Sequence, residues 1–239
     1  MHGVVFLIIF AFNKNLFIFL LGILWLVIPY VMCKISKNSA LKTTKKNLNK
    51  EQEKYILEVA KKTFNFFKDN LTEENNYLIP DNYQEDRKQK YIDRTSSTNI
   101  GLSFLAVITG VDLNFISLSE GIGLLSKMIE TIDSLEKWNG HLYNWYNIKT
   151  KAPLIPRYIS TVDSGNFVGY LYVVKAFLNE VLEQEYEENK DVGNQYEIIK
   201  KLRDKVSCLI DNTDFSKLYS PSHRLFSIGF NIEENKLTD

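Results

Sequence analysis

The sequence predicts an all-α protein in which a soluble domain follows a short apolar N-terminal region. Three observations indicate this fold class. The first 33 residues are almost wholly apolar, five later segments carry apolar side chains at helical spacing, and only residues 224–237 alternate as a strand does. About 205 of the 239 residues follow the apolar region, which is enough to enclose one hydrophobic core.

The N-terminal region contains one segment long enough to cross a membrane. Residues 16–33 carry no charge over 18 positions, and as a helix they would be roughly 27 Å long, close to the thickness of a bilayer core. A signal peptide is the alternative, but the sequence has neither its basic start nor a cleavage site of small residues. Residues 3–12 form a shorter apolar run, which predicts a partial helix. We therefore expect one or two transmembrane helices within residues 1–33.

Lysines dominate the segment between the apolar region and the first acidic residue, Glu51. They are Lys34, Lys37, Lys42, Lys45, Lys46 and Lys50. Lysines that flank a membrane helix favour the cytoplasmic side, although a solvated linker would have the same composition. We expect residues 34–50 to be a basic cytoplasmic linker and residues 51–239 to form the soluble domain.

The predicted helices of the domain each carry one apolar stripe. They span 51–71, 98–111, 117–138, 164–188 and 196–210. Ser117 and Glu120 have the spacing of a capping box at the start of the third helix. The alternating residues 224–237 contain the turn Glu233-Glu234-Asn235, which predicts a short C-terminal β-hairpin.

Two long loops, 77–97 and 139–163, each end just before a helix. Loops of this length in a compact domain are usually functional when their composition is varied. All-α proteins that gather such loops at one end of a ring of helices form (α/α) toroids, and a generic helical bundle fits the same periodicity. Both architectures remain open on periodicity alone.

Composition excludes several classes of partner. The chain has 29 basic and 29 acidic residues, whereas a nucleic-acid-binding protein would show a basic excess. Cys33 and Cys208 are the only cysteines, so neither a disulfide framework nor a structural zinc site is indicated. The sequence also lacks the common nucleotide-binding and metalloprotease motifs. We expect no cofactor, no metal and no nucleic acid.

The two long loops are rich in aromatic and hydrogen-bonding side chains. Flat aromatic rings cover the C–H faces of sugars, while amides, carboxylates and guanidinium groups bind the hydroxyls. This combination predicts a site for a polar, sugar-like ligand. Its candidate residues are Gln84, Asp86, Arg94, Asn99, His141, Tyr143, Asn144, Trp145, Arg157, Asp163 and Asn166.

Single candidates also have an ordinary structural explanation. Trp145 and His141 are of residue types that often pack in a core. Arg94 would form an ion pair with Asp86, and Asp163 or Ser164 would cap the helix that begins there. The joint density of such residues in two helix-entry loops, rather than any one of them, favours a ligand site.

Four motifs occupy this part of the chain. They are PDNYQED at 80–86, RTSSTNIGL at 94–102, GHLYNWYN at 140–147 and PRYISTVDSGN at 156–166. Their sequence, order and spacing resemble the central region of the cyclic β-1,2-glucan synthases, from about residue 50 to the end of the chain. Ser97 stands where the family usually has Pro, and Asn147 where it often has Asp.

The resemblance implies a fold, a substrate and a chemistry. The central domain of the family is a glucoamylase-like toroid that acts on β-1,2-linked glucan by retaining transglycosylation, with two carboxyl groups about 5–5.5 Å apart. For this chain it implies the N-terminal half of an (α/α)6 toroid with a short C-terminal β-hairpin. Because the family domain is much longer, the catalytic pair is expected beyond Asp239 and the chain is expected to be a fragment. No residue of the chain is assigned as catalytic.

The function expected from the resemblance is that of a piece of a membrane-bound synthase whose residues supply sugar subsites. Its partners would be β-1,2-linked glucan, the lipid bilayer and the remaining half of the synthase, and the domain would face the cytoplasm. Asp163, near a helix start, would accept a sugar hydroxyl rather than act as a general acid. A non-catalytic, membrane-anchored glycan-binding or structural protein is the alternative, and whether this chain is itself an enzyme stays open.

Overall fold

Two helices form from the apolar N-terminal sequence. The computed structural model of the protein describes residues 2–39, 48–187 and 194–238. The chain divides into two compact units, 1–55 and 56–239. In the first unit, α1 spans His2–Asn13 and α2 spans Leu16–Ser39, and the two helices pack against each other.

The turn between α1 and α2 follows from local hydrogen bonding. Lys14 has a positive φ of 51°, and its N–H donates to Phe10 O (2.7 Å), which ends α1. Asn15 Oδ1 then accepts the N–H of Phe17 (2.9 Å) and caps α2. The rings of Phe10 and Phe19 meet across the turn, with centroids 4.8 Å apart.

Within the described residues, one helical segment, Leu16–Ser36, is long and apolar enough to cross a membrane, judged by length and composition. α1 has 12 residues and is about 18 Å long, too short for a bilayer core of about 30 Å. α2 continues to Ser39 rather than ending at Cys33, so it extends into the segment that the sequence assigns to the linker. Residues 40–47, the middle of that linker, lie outside the described residues.

Helices build most of the second unit. They are α3 (Lys50–Asn70, which enters the unit at Ile56), α4 (Ser97–Asp112), α5 (Leu118–Ser134), α6 (Thr161–Glu187) and α7 (Asn194–Asp211). α4 packs on α5 and α6, and α7 packs on the same two helices from the other end of the chain. The predicted helical segments are thus confirmed as helices, with some ends shifted.

The apolar stripes predicted from the sequence form the core between these helices. Side chains sealed from solvent include Phe104 on α4, Leu125, Ile129 and Ile132 on α5, Leu171, Val174 and Leu178 on α6, and Ile199 and Val206 on α7. Gly101 of α4 faces Tyr170 of α6 so closely that a Cβ would lie 2.0 Å from Tyr170 Cδ2. The missing side chain at Gly101 therefore sets how near α4 and α6 can approach.

Short antiparallel strands connect the helices. β1 (Arg94–Thr95) pairs with β4 (Tyr146–Asn147), β2 (Lys137–Trp138) with β3 (His141–Leu142), and β6 (Tyr219–Ser220) with β7 (Leu225–Phe226). β5 (Tyr158–Ser160), β8 (Gly229–Asn231) and β9 (Lys236–Thr238) form a three-stranded sheet with β8 in the middle. The predicted C-terminal hairpin is confirmed as β8–β9, and β5 adds a strand that the sequence did not indicate.

Helix α6 begins earlier than the sequence predicts. It starts at Thr161, and Ser160 Oγ accepts the N–H of Asp163 (3.2 Å). Ser160, rather than Asp163, therefore provides the side-chain cap, and the Asp163 carboxylate is left to contact another helix. At α5 the expected cap is present, because Ser117 Oγ accepts the N–H of Glu120 (3.2 Å).

Helix α5 ends earlier than predicted, at Ser134 rather than Trp138. The residues that follow form the β2–β3 hairpin. Its two turn residues, Asn139 and Gly140, both have positive φ, 47° and 82°, as a two-residue hairpin turn requires. The Asn-Gly dipeptide therefore forms a hairpin turn, and the helix ends before it although the apolar spacing of residues 117–138 is helical.

Gly140→Ala tests this hairpin turn. A Cβ at Gly140 would lie 2.0 Å from Asn212 O, and alanine rarely adopts a φ of 82°. We expect the variant to lose roughly 2 kcal/mol or more of unfolding free energy, measured by thermal unfolding of the full chain in detergent. Gly123→Ala on α5 is the matched control. Nothing lies within 4 Å of its Cβ position, so the change should stabilise the helix by about 0.5–1 kcal/mol. Equal melting temperatures for the two variants would contradict the described turn.

Candidate functional site

Strand pairing brings the two long loops together at the start of α4. Through β1 and β4, Arg94 lies opposite Asn147 and Thr95 opposite Tyr146. The second loop then leads through β5 into α6. The side chains at the ends of the two loops therefore lie next to those of the first turns of α4 and α6.

Asp81 is the centre of a polar cluster in front of α4. Its Oδ1 accepts Asn99 Nδ2 (3.0 Å), and its Oδ2 accepts Arg94 Nη2 (3.1 Å) and Nε (3.4 Å). Asn82 Nδ2 donates to the same Oδ2 (2.9 Å). The backbone closes the arrangement, because the Asp81 N–H donates to Arg94 O (2.7 Å). We call these four residues, Asp81, Asn82, Arg94 and Asn99, the Asp81 cluster.

The Arg94 guanidinium also lies over the ring of Trp145, with Cζ 4.1 Å from the ring centroid. This cation–π contact occupies one face of the half-buried indole, so a sugar can stack only on the other face. Arg94 pairs with Asp81 and not with Asp86, which is exposed. The ion pair considered from the sequence is therefore replaced by one with a carboxylate earlier in the same loop.

A second set of contacts joins α4 to α6. Thr98 Oγ1 donates to Asp163 Oδ1 (2.5 Å), and Asn166 Nδ2 donates to Thr98 Oγ1 (3.4 Å). Because a threonine hydroxyl has a single hydrogen, donation to Asp163 leaves it to accept from Asn166. Thr98 directly precedes Asn99 on α4, so this set adjoins the Asp81 cluster.

Buried polar atoms without partners concentrate in the same segments. Among the residues that the structure describes, seven buried side-chain N or O atoms have no hydrogen-bond partner, and six of them belong to residues 82–97 or 161–164. They are Asn82 Oδ1, Gln84 Oε1, Thr95 Oγ1, Ser97 Oγ, Thr161 Oγ1 and Ser164 Oγ. An unpartnered buried group costs about 1–3 kcal/mol. Their concentration distinguishes these two segments from the rest of the described residues, since most buried polar atoms in proteins have a partner.

Tyr143 and Arg157 belong to a different cluster, around Glu136. Tyr143 Oη donates to Glu136 Oε1 (3.0 Å), and Arg157 Nη1 lies 3.6 Å from the same oxygen. Arg157 Nε also donates to Glu233 Oε1 (3.1 Å) in the β8–β9 turn. Burial and the adjacent Glu136 carboxylate raise the pKa of Tyr143, which keeps its hydroxyl a donor. This cluster ties the second loop to the C-terminal sheet.

His141 lies in neither cluster. It is 1% exposed, its Nε2–H donates to Asp214 O (3.1 Å), and the ring of Phe215 packs edge-on against it with centroids 5.0 Å apart. Its Nδ1 is the seventh unpartnered atom. Burial lowers the pKa of His141, since the charged ring would lose its hydration. These surroundings support the structural explanation for this residue.

The remaining predicted residues have fewer side-chain hydrogen bonds within the protein. Gln84 contributes an unpartnered buried Oε1, and Asp86 makes no polar contact among the described residues. Asn144 is fixed through its backbone, because its N–H donates to Tyr158 O (2.7 Å). The structure thus brings together Arg94, Asn99 and Trp145, joins Asp163 to Asn166, and leaves the other predicted residues outside these two groups.

Five residues of these clusters are missing from the sequence-based set: Asp81, Asn82, Thr98, Glu136 and Glu233. Asp81 and Asn82 lie inside the motif PDNYQED, and Thr98 directly precedes the chosen Asn99 in RTSSTNIGL, so the signal was available. Glu136 lies in the segment predicted as the end of α5, where the sequence offers no reason to single it out. Its role depends on the hairpin that ends the helix.

His141→Gln tests the structural role of this histidine through pH. Because burial lowers its folded-state pKa below the unfolded value, about 6.5, the unfolded chain binds the proton more readily. Stability is therefore lost as the pH falls through this range. Glutamine keeps a donor for Asp214 O and cannot be protonated. We expect the variant to melt below the wild type at about pH 8 but to lose less stability between about pH 7 and 5. The same change at the exposed His223 provides the control for the removal of a histidine. Parallel slopes for wild type and His141→Gln would count against the buried, neutral ring.

Comparison of sequences relates this geometry to a known synthase. No protein-family model matches the chain. The chain is 36% identical over 159 residues to the cyclic β-(1,2)-glucan synthase NdvB of Rhizobium meliloti, a match that covers 66% of this chain and 6% of that protein. It therefore spans a small part of the length of this relative.

Solved structures share the fold at low sequence identity. A glucoamylase-like protein of Bacteroides fragilis matches with a TM-score of 0.61 and 18% identity, over 81% of this chain and 43% of its own. The endo-β-1,2-glucanase of Chitinophaga pinensis matches with a TM-score of 0.58 and 17% identity, over 74% and 40%. The β-1,2-glucanase of Parabacteroides distasonis gives 0.57 and 16%, over 74% and 23%. The predicted all-α, glucoamylase-like (α/α)6 fold is thus confirmed, and by sequence the chain is similar to a part of the cyclic β-(1,2)-glucan synthase NdvB.

Proposed function

We propose that this chain binds β-1,2-linked glucan and supplies sugar subsites to the retaining transglycosylase domain of a membrane-bound cyclic β-1,2-glucan synthase. The observation that carries the proposal is the meeting of the Asp81 cluster, Trp145 and Asp163 at the first turns of α4 and α6. The similarity to NdvB supports the choice of polymer. So does the fold shared with an endo-β-1,2-glucanase that was solved with sophorotriose and glucose.

The groups at this site fit the surface of a glucose unit. Arg94 and Asn99 offer a donor and an acceptor to hydroxyls, and the face of Trp145 opposite Arg94 is the one that would serve as an aromatic platform. Asp163 has a second oxygen, Oδ2, which has no hydrogen-bond partner among the described residues and is not sealed from solvent. It is therefore placed to accept a sugar hydroxyl, with Asn166 beside it.

Catalysis in this proposal comes from a larger assembly. Both oxygens of Asp81 accept hydrogen bonds from the other members of its cluster, and one oxygen of Asp163 accepts from Thr98. The chain covers 43% and 40% of two solved structures of the same fold. Large apolar side chains are exposed at Leu102 (43%) on α4 and at Tyr172 (57%) on α6, which suits packing against the remaining half of the synthase. We propose that this remaining half supplies the acid and the nucleophile.

Non-catalytic glycan binding is the second candidate function. It is favoured by the same use of Asp81 and Asp163 as hydrogen-bond acceptors, because a general acid or nucleophile needs a carboxyl group that faces the reacting bond. Incubation of the full chain with linear β-1,2-glucan separates the two candidates. New chain lengths or cyclic products would assign catalysis to this chain, and binding without products would assign it a glycan-binding role.

The membrane part of the proposal rests on α2. Its segment Leu16–Ser36 has the length and composition of a membrane span. Lysines follow it in the sequence, and such residues favour the cytoplasmic side. We therefore propose that α2 anchors the chain in the cytoplasmic membrane and that the second unit faces the cytoplasm.

Glucan binding should protect Trp145 from quenching. With Trp25→Phe and Trp138→Phe, Trp145 is the sole tryptophan. We expect β-1,2-linked glucose oligosaccharides to reduce acrylamide quenching of its fluorescence, because a stacked sugar would cover the indole face opposite Arg94. A matched chain that keeps only Trp138, which stacks on Phe230 with centroids 4.4 Å apart, should show no protection. Trp145→Ala should weaken binding about tenfold by calorimetry, and unchanged binding would show that the site lies elsewhere.

Cysteine labelling tests the orientation. Cys33→Ser leaves Cys208, exposed on α7, as the sole cysteine. In bacterial spheroplasts that express this variant, we expect a membrane-impermeant maleimide to label Cys208 only after permeabilisation, because the second unit is proposed to face the cytoplasm. A cysteine-free chain provides the background. Labelling of intact spheroplasts would place the unit on the opposite side.

A further inference from the structure

We infer that Asn76 is a positioning residue of the candidate site. Its side chain clasps the turn that follows β4, and through this turn it holds the indole of Trp145 in place for a ligand. The inference rests on the proposed function, because it concerns how the same site is kept in order. Asn76 lies outside the four motifs and outside the sequence-based set of candidates. Its hydrogen bonds, its backbone conformation and the second attachment of the same turn carry the inference.

The side chain of Asn76 joins the start of the first long loop to the second long loop. Its Nδ2 donates to both Ile148 O (2.8 Å) and Lys149 O (2.9 Å). A flipped amide would turn its oxygen towards these two carbonyl oxygens, which is repulsive, so both hydrogens of Nδ2 are used here. Ile148 is 1% exposed, so water has little access to its carbonyl. Asn76 is therefore the partner on which this carbonyl depends.

The backbone conformation at this point is unusual. Asn76 and Tyr77 are consecutive and both have a positive φ, 53° and 54°, a conformation that is costly for an aromatic residue. Both residues are also tied to α5, because Thr131 Oγ1 donates to Asn76 O (2.8 Å) and Lys127 Nζ donates to Tyr77 Oη (2.7 Å). Among the residue types that adopt this conformation readily, only asparagine also carries two donor hydrogens on one atom. The residue type at position 76 thus suits the clasp.

The clasped turn is also bound by the end of the first loop. The Ile148 N–H donates to Asp93 O (3.2 Å), directly beside the β1–β4 pairing. Both backbone polar groups of Ile148 are therefore bound by the first loop, the N–H by Asp93 at its end and the carbonyl by Asn76 at its start. The turn after β4 is thus fixed by both ends of that loop.

A charged contact adds to the clasp at the surface. Lys149 Nζ donates to Glu74 Oε1 (2.5 Å) and to Asn75 Oδ1 (2.7 Å), in the two residues before Asn76. The Glu74 side chain is 84% exposed, so dissolved salt screens this ion pair. The uncharged hydrogen bonds of Asn76 are therefore the part of the attachment that persists at physiological ionic strength.

Loss of the clasp should loosen Trp145 and leave the helical core intact. Asn76 is a half-buried loop residue, whereas the sealed core side chains lie mainly on α4 to α7. Trp145 depends directly on the clasped turn, because it precedes β4 and the turn follows that strand. Its contact with Arg94, 4.1 Å from Cζ to the ring centroid, requires the ring to stay in place. A binding site needs supporting residues that hold its side chains within about 0.5 Å, so we expect weaker ligand binding by a chain that still folds.

The first experiment needs no ligand. In the full chain in detergent, with Trp145 as the sole tryptophan, time-resolved fluorescence anisotropy reports the nanosecond motion of the indole. Asn76→Gly removes the side-chain amide and places a residue that readily adopts a φ of 53°, and we expect a larger amplitude of this motion. Asn114→Gly is the matched control, because Asn114 also has a positive φ, 56°, and its exposed side chain has no hydrogen bond among the described residues. Equal amplitudes in the two variants would overturn the inference.

A second pair of variants tests the clasp without changing Asn76. Thr131→Val removes the hydroxyl that binds Asn76 O, whereas Thr131→Ser keeps it. We expect Thr131→Val to increase the motion of Trp145 and Thr131→Ser to leave it unchanged, and this pair decides the matter if Asn76→Gly does not fold. In the Asn76→Gly background, Thr131→Val should add no further motion, because the clasp through which it acts is gone. An equal increase in both backgrounds would contradict the clasp.

Binding measurements connect the clasp to the proposed function. By calorimetry, Asn76→Gly should bind the β-1,2-linked glucose trisaccharide about tenfold more weakly than Asn114→Gly does. If both variants bind as the wild type does, Asn76 does not position the site and the inference is overturned. If the wild type itself does not bind, the proposed function fails, and the anisotropy still decides whether Asn76 holds Trp145.

Discussion

Close packing of α4 against α6 is the constraint on which the candidate site depends. Gly101 brings no side chain between the helices and so admits the ring of Tyr170, while the Thr98–Asp163 hydrogen bond joins their first turns. Both helices begin where a long loop ends. Fixing one helix against the other therefore also fixes the loop ends that deliver Arg94 and the residues of β5. The packing of the helical core thus determines the geometry of the site, because it fixes the positions of the loop ends.

Hydrogen-bond donors are unevenly shared in this part of the molecule. One carboxylate, Asp81, collects the amides of Asn82 and Asn99 and two groups of Arg94. Nearby acceptors such as Asn82 Oδ1 and Gln84 Oε1 are buried without a donor. This distribution lowers stability locally, but it orients a guanidinium and an amide that would otherwise sample many rotamers. Preorganised polar groups of this kind are what a site for hydroxyl-rich ligands requires.

Periodicity and motifs predict much of this fold, and the failures have identifiable causes. The helical stripes are visible because apolar residues at helical spacing meet a common core, and the alternation in 224–237 correctly indicated β8–β9. The end of α5 was missed because an Asn-Gly turn outweighed a continuing apolar stripe. The start of α6 was missed because Ser160, inside a strand, provides the cap. Arg94, Asn99 and Trp145 from the sequence-based set lie together in the structure, whereas Asp81, which holds two of them, was not in that set.

The sequence by itself determined which segments are helical, that one of them suits a membrane, and which family the loop motifs resemble, because these properties depend on residue order over short distances. Only the tertiary structure decided which side chains meet. Arg94 pairs with Asp81 rather than Asp86, and His141 enters the core rather than the site. Nothing in the linear order distinguishes these outcomes. They follow from the β1–β4 pairing and the Asn139-Gly140 turn, which place distant backbone segments side by side.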